Sequence, residues 1–147
     1  AIRVGPLADS TLTARKLGEL GYGLYAAPGY LARRTAPAQP ADLASHVTLA
    51  FSGGSHQATW AFWRGQQAER VAVQPRLKAN NVFAVRDAAV AGLGIAQLPM
   101  LFAGAAVRAG QLRAVLTDWS LPTVPVHALF ASARYLTPKV RAFIDLA

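Results

Sequence analysis

The chain has 147 residues, 53% of them apolar and 15% charged, long enough for a hydrophobic core and too apolar for a disordered tail. It contains no cysteine, which excludes disulfide frameworks, thiolate catalysis and Cys-based zinc sites, and no apolar run approaches the ~20 residues of a bilayer-spanning helix. The formal net charge of +8 raises the question of nucleic acid, yet the cations are scattered (Arg15-Lys16, Arg33-Arg34, Arg64, Arg70, Arg76, Lys78, Arg134, Lys139, Arg141) and read as a solvated basic surface with weak, salt-sensitive attraction to anions.

In chain order, strands and helices alternate. The N-terminus AIRVGPLADS lacks the basic-then-apolar order of a signal peptide and opens on a strand pattern at residues 1–4, as a domain from a longer chain would. Residues 11–26 carry two extended stretches, and Pro28-Gly29-Tyr30-Leu31 opens a short helix. A helical turn at 40–44 precedes a strand at 46–51, and SGGSH then reads as a turn. Residues 59–64 and 69–73 form a hairpin across Gly65-Gln66-Gln67, with Trp60 and Phe62 on one face and Trp63 on the other, and residues 75–79 extend that sheet.

The stretch AVAGLGIAQLP (89–99) contains the Gly-x-Gly pair of a phosphate-binding loop, but in the wrong order. Such a loop follows a strand and opens a helix. Here apolar Val82, Phe83, Ala89, Val90 and Leu93 mark a helical face upstream, capped by Asn80 or Asn81, and residues 95–98 are a strand downstream, stopped by Pro99. The glycines therefore close a helix in a left-handed cap. A helix over 81–91 is expected to bury Val82, Val85, Ala89 and Val90. A second helix ends at Gly110, strands follow at 112–116 and 125–131, and Thr137-Pro138 starts a last helix. The alternation predicts an α/β fold.

Chemistry of catalysis is hard to find. His46, His56 and His127 have no i, i+4 partner, so a metal site is not expected. GGSHQ departs from a nucleophile elbow at Gln57, which weakens Ser55 as a nucleophile. The carboxylates Asp9, Glu19, Asp42, Glu69, Asp87, Asp118 and Asp145 are isolated. What remains is a binding architecture, in which ligands sit beyond the carboxyl ends of strands. Phe51-Ser52-Gly53 and Asn81-Val82-Phe83 are two such places, and Arg3 offers a charge to a carboxylate.

Several ordered segments, AAPGYL, PAQPADLASH, LKANNVFAVRDAAVAGLGIAQLP and the terminal KVRAFIDLA, together resemble the effector-binding domain of LysR-type transcriptional regulators. The resemblance covers essentially the whole chain. It implies a periplasmic-binding-protein-like (type 2) sensor of two α/β lobes, residues 1–17 and 125–147 belonging to an incomplete first lobe and 18–124 to the second. It implies effector contacts from Arg3, Val4, Gly5, Phe51, Ser52, Gly53, Asn81, Val82, Phe83 and Pro99.

It further implies a non-enzymatic cytoplasmic bacterial protein without cofactor or metal, whose partner is a small organic effector, carboxylate-bearing by the argument above. Operator DNA and RNA polymerase would be reached only through the full-length parent, a homo-oligomer, with no membrane involved. The family's DNA-reading helices and the opening of its first lobe are missing, so an unpaired sheet edge that invites a second copy is expected. A stand-alone solute-binding module and a hydrolase using Ser55 or an Asp are the competing classes.

Overall fold

The computed structural model describes residues 1–7, 11–51, 59–131 and 137–146. In chain order its elements are β1 (Ile2–Val4), β2 (Thr13–Leu20), β3 (Tyr22–Ala26), α1 (Pro28–Arg33), a 3₁₀ helix (Pro40–Ser45), β4 (Thr48–Phe51), β5 (Thr59–Arg64), β6 (Gln67–Ala72), β7 (Leu77–Ala79), α2 (Val82–Val90), β8 (Ile95–Pro99), α3 (Met100–Arg108), β9 (Arg113–Val115), β10 (Val124–Phe130) and α4 (Pro138–Leu146). They fall into two compact units, Ala1–Leu20 with Thr123–Ala147, and Gly21–Pro122.

The smaller unit is a three-stranded antiparallel sheet in the order β1-β10-β2. Its β2–β10 ladder runs from Thr13↔Phe130 to Leu20↔Val124, so the unit extends a few residues beyond the 1–17 and 125–147 expected for a lobe. A bulge breaks the ladder: Val126 faces Gly18 but His127 faces Lys16, leaving Leu17 unpaired. Helix α4 lies on the face that carries Ile2, Ala128 and Phe130. These three, with Val140, Phe143 and Ile144, line an apolar cavity of about 160 Å³. That face is only partly covered, since Ile2, Val4, Phe143 and Leu146 are each more than half exposed.

The larger unit is built on a five-stranded sheet in the order β7-β4-β8-β3-β9, with β4 parallel to β7 and β8 and β3 antiparallel to β8 and β9. Successive strand residues face opposite sides, and the sequence fills both sides with apolar groups. Leu24, Ala26, Ile95 and Val115 join Tyr30, Leu43, Trp60 and Phe62 in one cluster. Tyr25, Leu49, Ala96 and Leu98 join Val85 and Ala89 of α2 and Ala103 and Ala106 of α3 in the other. The sheet is therefore sandwiched between α1 with the β5–β6 hairpin and α2 with α3.

Local signals explain most boundaries. Pro28 sits in the first turn of α1, and Gln39 and Asp42 form a reciprocal capping box on the 3₁₀ helix. Asn81 caps α2, its Oδ1 accepting from the backbone N–H of Phe83 at 2.9 Å and of Ala84 at 3.4 Å. At the other end Gly92 adopts φ +80°, its N–H bonding Ala89 O at 2.9 Å while that of Leu93 bonds Ala88 O at 3.1 Å. This pair of bonds is the Schellman closure, and it settles the role of the Gly-x-Gly pair. Gly94 serves differently: a Cβ there would lie 2.5 Å from Val47 O, so glycine lets β8 approach the start of β4.

Three expectations need correction. The hairpin turns across Gly65-Gln66 alone, because Gln67 already pairs with Arg64 in the ladder. Residues 75–79 do not extend the hairpin; β7 pairs in parallel with β4, at the edge of the five-stranded sheet. On α2 the fully buried line is Val85 and Ala89, four residues apart, whereas Val82 and Val90 are partly buried and Phe83 and Leu93 are 46% and 49% exposed. The expected helical face was thus rotated, since Phe83 packs sideways, ring edge to face, on Phe102 at 5.2 Å. Trp60 and Phe62 are buried and Trp63 is exposed, as the alternation predicts. Ser52, Gly53, Ser55 and His56 lie outside the described residues.

A buried phenol ties α1 to the entry of β4. Tyr30 Oη accepts from Val47 N–H at 3.1 Å, which frees its own proton for His46 Nδ1 at 2.9 Å and so assigns the Nε2–H tautomer to the neutral ring. Burial lowers the His46 pKa below its ordinary value, with Arg34 adding to the shift and Asp42 opposing it.

These contacts make three outcomes measurable. Val85→Asp places an unpaired carboxylate at a fully buried position, a cost of several kcal/mol against a typical total of ~5–15 kcal/mol. Thermal melts followed by circular dichroism are expected to show the larger unit unfolded or its Tm lowered by more than ~10 °C. Gly94→Ala is expected to lower Tm, whereas Gly104→Ala, whose Cβ would meet only the mobile end of Arg108, leaves it unchanged or raises it. For His46 the folded state disfavours the imidazolium, so stability is constant above the unfolded pKa of ~6.5 and falls as pH drops through and below it. Melting at about pH 7.5 and about pH 5 is expected to show this loss in the wild type and a smaller one in His46→Gln.

Candidate functional site

Because β4 runs parallel to both β7 and β8, the carboxyl ends of these neighbouring strands lie at the same end of the sheet. Phe51 closes β4 directly opposite Ala79 of β7, and Asn81 follows two residues later as the cap of α2. Pro99 closes β8 opposite Tyr22 and immediately precedes α3, where Met100 N–H bonds Gly21 O at 2.9 Å. The larger unit thus gathers Phe51, Asn81, Val82, Phe83 and Pro99 at one sheet end. Arg3, Val4 and Gly5 belong to the smaller unit, on β1 and just after it.

The chemistry offered there is mostly apolar. Phe51 and Phe83 are 44% and 46% exposed, and Met100 is 55% exposed beside buried Pro99. The Arg86 guanidinium lies 5.1 Å from the centre of the Phe83 ring and pairs with Asp87 at 2.9 Å. Burial pushes the phenol pKa values of Tyr22 and Tyr25 up. The start of α2 is less open to an anion than its sequence implied. Asn81 already satisfies the N–H groups of Phe83 and Ala84, and its carbonyl takes that of Val85 at 3.3 Å. The donors at this helix start that the cap does not take up are the Asn81 side-chain amide and Val82 N–H. Gly5, with φ +112°, is buried and bonds Pro125 O through its N–H at 2.9 Å, while Arg3 is exposed.

Sequence reasoning missed Phe102, Arg86 and Met100. Phe102 and Phe83 sit on different helices, and no local spacing connects them. Met100 follows Pro99 directly as the first residue of α3, a boundary that the local sequence does not mark. Among the described residues no three His, Cys, Asp or Glu side chains gather into a metal-binding group. The ion pairs Arg15–Asp145, Lys16–Glu19 and Arg86–Asp87 all lie at the surface. No helix of the described residues is long and apolar enough to cross a membrane.

The profile of the LysR substrate binding domain matches residues 1–147. An HTH-type transcriptional regulator of Xanthomonas campestris pv. campestris is 37% identical over 149 residues, covering 99% of this chain and 43% of its own. The HTH-type transcriptional regulator PtxR of Pseudomonas aeruginosa is 37% identical over 145 residues, covering 99% of this chain and 46% of its own.

Among solved structures, the full-length Vibrio cholerae virulence activator AphB superposes with a TM-score of 0.85 at 32% identity, over 98% of this chain and 49% of that one. The regulatory domain of CrgA from Neisseria meningitidis gives 0.85 at 28% identity, over 99% and 71%. The chain spans about half the length of the curated relatives it matches. Its α/β architecture is the periplasmic-binding-protein-like one of these regulatory domains, and with its whole length matched the chain belongs to the LysR substrate binding domain family.

Proposed function

We propose that the chain is the ligand-sensing part of a LysR-type bacterial transcriptional regulator, acting in the cytoplasm as a binding module and not as an enzyme. The observation that carries this reading is the meeting of parallel strand ends with exposed Phe51 and Phe83 beside the Asn81 cap, in a chain whose full length matches the family. Open α/β sheets bind ligands at such ends.

The effector is a small organic molecule bearing a carboxylate. On the larger unit Phe51, Val82, Phe83 and Pro99 supply apolar contact and Asn81, Ser52 and Gly53 polar contact, and on the smaller unit Arg3, Val4 and Gly5 are candidate contacts in their own right. Operator DNA, RNA polymerase and the homo-oligomer are reached through the rest of the parent protein. Scattered lysines and arginines neutralise phosphates but do not read bases, so sequence-specific DNA recognition lies outside this chain.

Calorimetry on the full-length regulator with a panel of small carboxylates tests the assignment. A binding carboxylate is expected, with affinity reduced about tenfold or more by Arg3→Ala and by Ser52→Ala. Wild-type affinity in both variants overturns the site residues, and no binding by any member of the panel overturns the carboxylate class.

A further inference from the structure

Three basic residues from three strands meet in one row of the smaller unit. Arg3 of β1 lies opposite His127 of β10, and His127 lies opposite Lys16 of β2. Direct antiparallel partners project from the same face with Cβ atoms ~5 Å apart, so the row crosses the sheet transversely. It occupies the face away from α4. The α4 side carries the alternate positions Ile2, Ala128 and Arg15, and Arg15 is ion-paired there with Asp145. The bulge at Leu17 brings Lys16 into register with His127.

Charge along this row is unbalanced. Arg3 is exposed and, among the described residues, its guanidinium has no ion-pair or hydrogen-bond partner. Neither ring nitrogen of His127 has a hydrogen-bond partner among those residues, and its Nδ1 is shut off from solvent. Lys16 Nζ meets Glu19 Oε1 at 2.6 Å, but Glu19 Oε2 already accepts from Thr123 Oγ1 at 2.8 Å. Glu19 is thus engaged twice, by Lys16 on its own strand and by Thr123 just before β10, and makes no hydrogen bond to Arg3 or His127. Arg3 and Lys16 thus place like charges on either side of His127, where they repel one another across the row. An anion seated across the row reverses the sign of that interaction.

We propose that Arg3, His127 and Lys16 form an anion subsite on the smaller unit, taking the carboxylate or phosphate group of a small molecule. Arg3 supplies the planar bidentate fork at one end of the row and Lys16 a second cation at the other, with the His127 imidazole between them. This extends the reading of Arg3 as an effector contact to its two neighbours, and it rests on that reading for the identity of the ligand.

Titration of the chain with inorganic phosphate, and separately with acetate, at constant ionic strength tests the subsite. The readout is the NMR shift of the His127 imidazole and of the amides of β1 and β10. Saturable shifts are expected in at least one arm, and the arm that saturates tells phosphate from carboxylate. Arg3→Gln and Lys16→Gln, both at exposed positions, are expected to weaken binding about threefold or more, whereas Arg70→Gln on β6, an equal loss of charge, leaves it unchanged. Shifts that never saturate in either arm, or equal weakening by Arg70→Gln and Arg3→Gln, overturn the proposal in favour of diffuse attraction. If the row fails while the full-length regulator still binds a carboxylate through residues that include Ser52, only the row is lost.

Discussion

Strand β8 carries both apolar layers of the larger unit at once. Ile95 is fully buried on one side of it and Ala96 and Leu98 on the other, so moving this strand uncovers two clusters rather than one. Its position depends on backbone closeness. Gly94 passes Val47 O where no Cβ fits, and Ile95 N–H then bonds the same carbonyl at 2.8 Å. Parallel strands need a long crossover to be joined, and here α2 provides it: β4 and β7 are linked through the hairpin, and β7 leads into α2 and β8.

That packing also leaves aromatic surface exposed at one end of the sheet. A helix that follows β7 must start where β7 ends, so the Asn81 cap is fixed at the sheet end where Phe51 and Pro99 close their own strands. The helix is pinned by Val85 and Ala89, and with that line turned inward Phe83 is left at the rim, against Phe102. Exposed aromatic surface at this end is therefore a consequence of which helical line the core takes, not of any apolar excess in the sequence. The same cap that starts the helix takes up the N–H groups of Phe83 and Ala84 and leaves that of Val82 outside it.

The smaller unit obeys different physics. Its strands are short or charged, its one described helix is amphipathic, and much of its apolar surface stays open. Lys16, Arg15 and Glu19 along β2 put charge on a free sheet edge, which discourages the edge-to-edge pairing that the sequence raised as a possibility. The short β1, at the other edge, has only Arg3 for that purpose. Its flanking Ile2 and Val4 are the half-exposed residues of the unit that a neighbouring segment would most readily cover.

Much of the larger unit was legible in the sequence because its signals are local. Asn81, Pro28 and Gly92 act within a turn of themselves, and the alternation of Trp60, Phe62 and Trp63 follows from the pleat alone. The strand ends at Phe51 and Asn81 were legible for the same reason. Tertiary structure decided the rest. The partner of β7 is β4, with Leu77 opposite Leu49, a pairing between residues 28 positions apart that no local window contains, and the inward line of α2 depends on what α3 and the sheet present to it. The alignment of Arg3, His127 and Lys16 joins residues more than a hundred positions apart, through a bulge that shifts one strand by a residue. Side-chain type and local propensity are properties of the sequence, whereas register is a property of pairing, and charge acquires a direction only once pairing is complete.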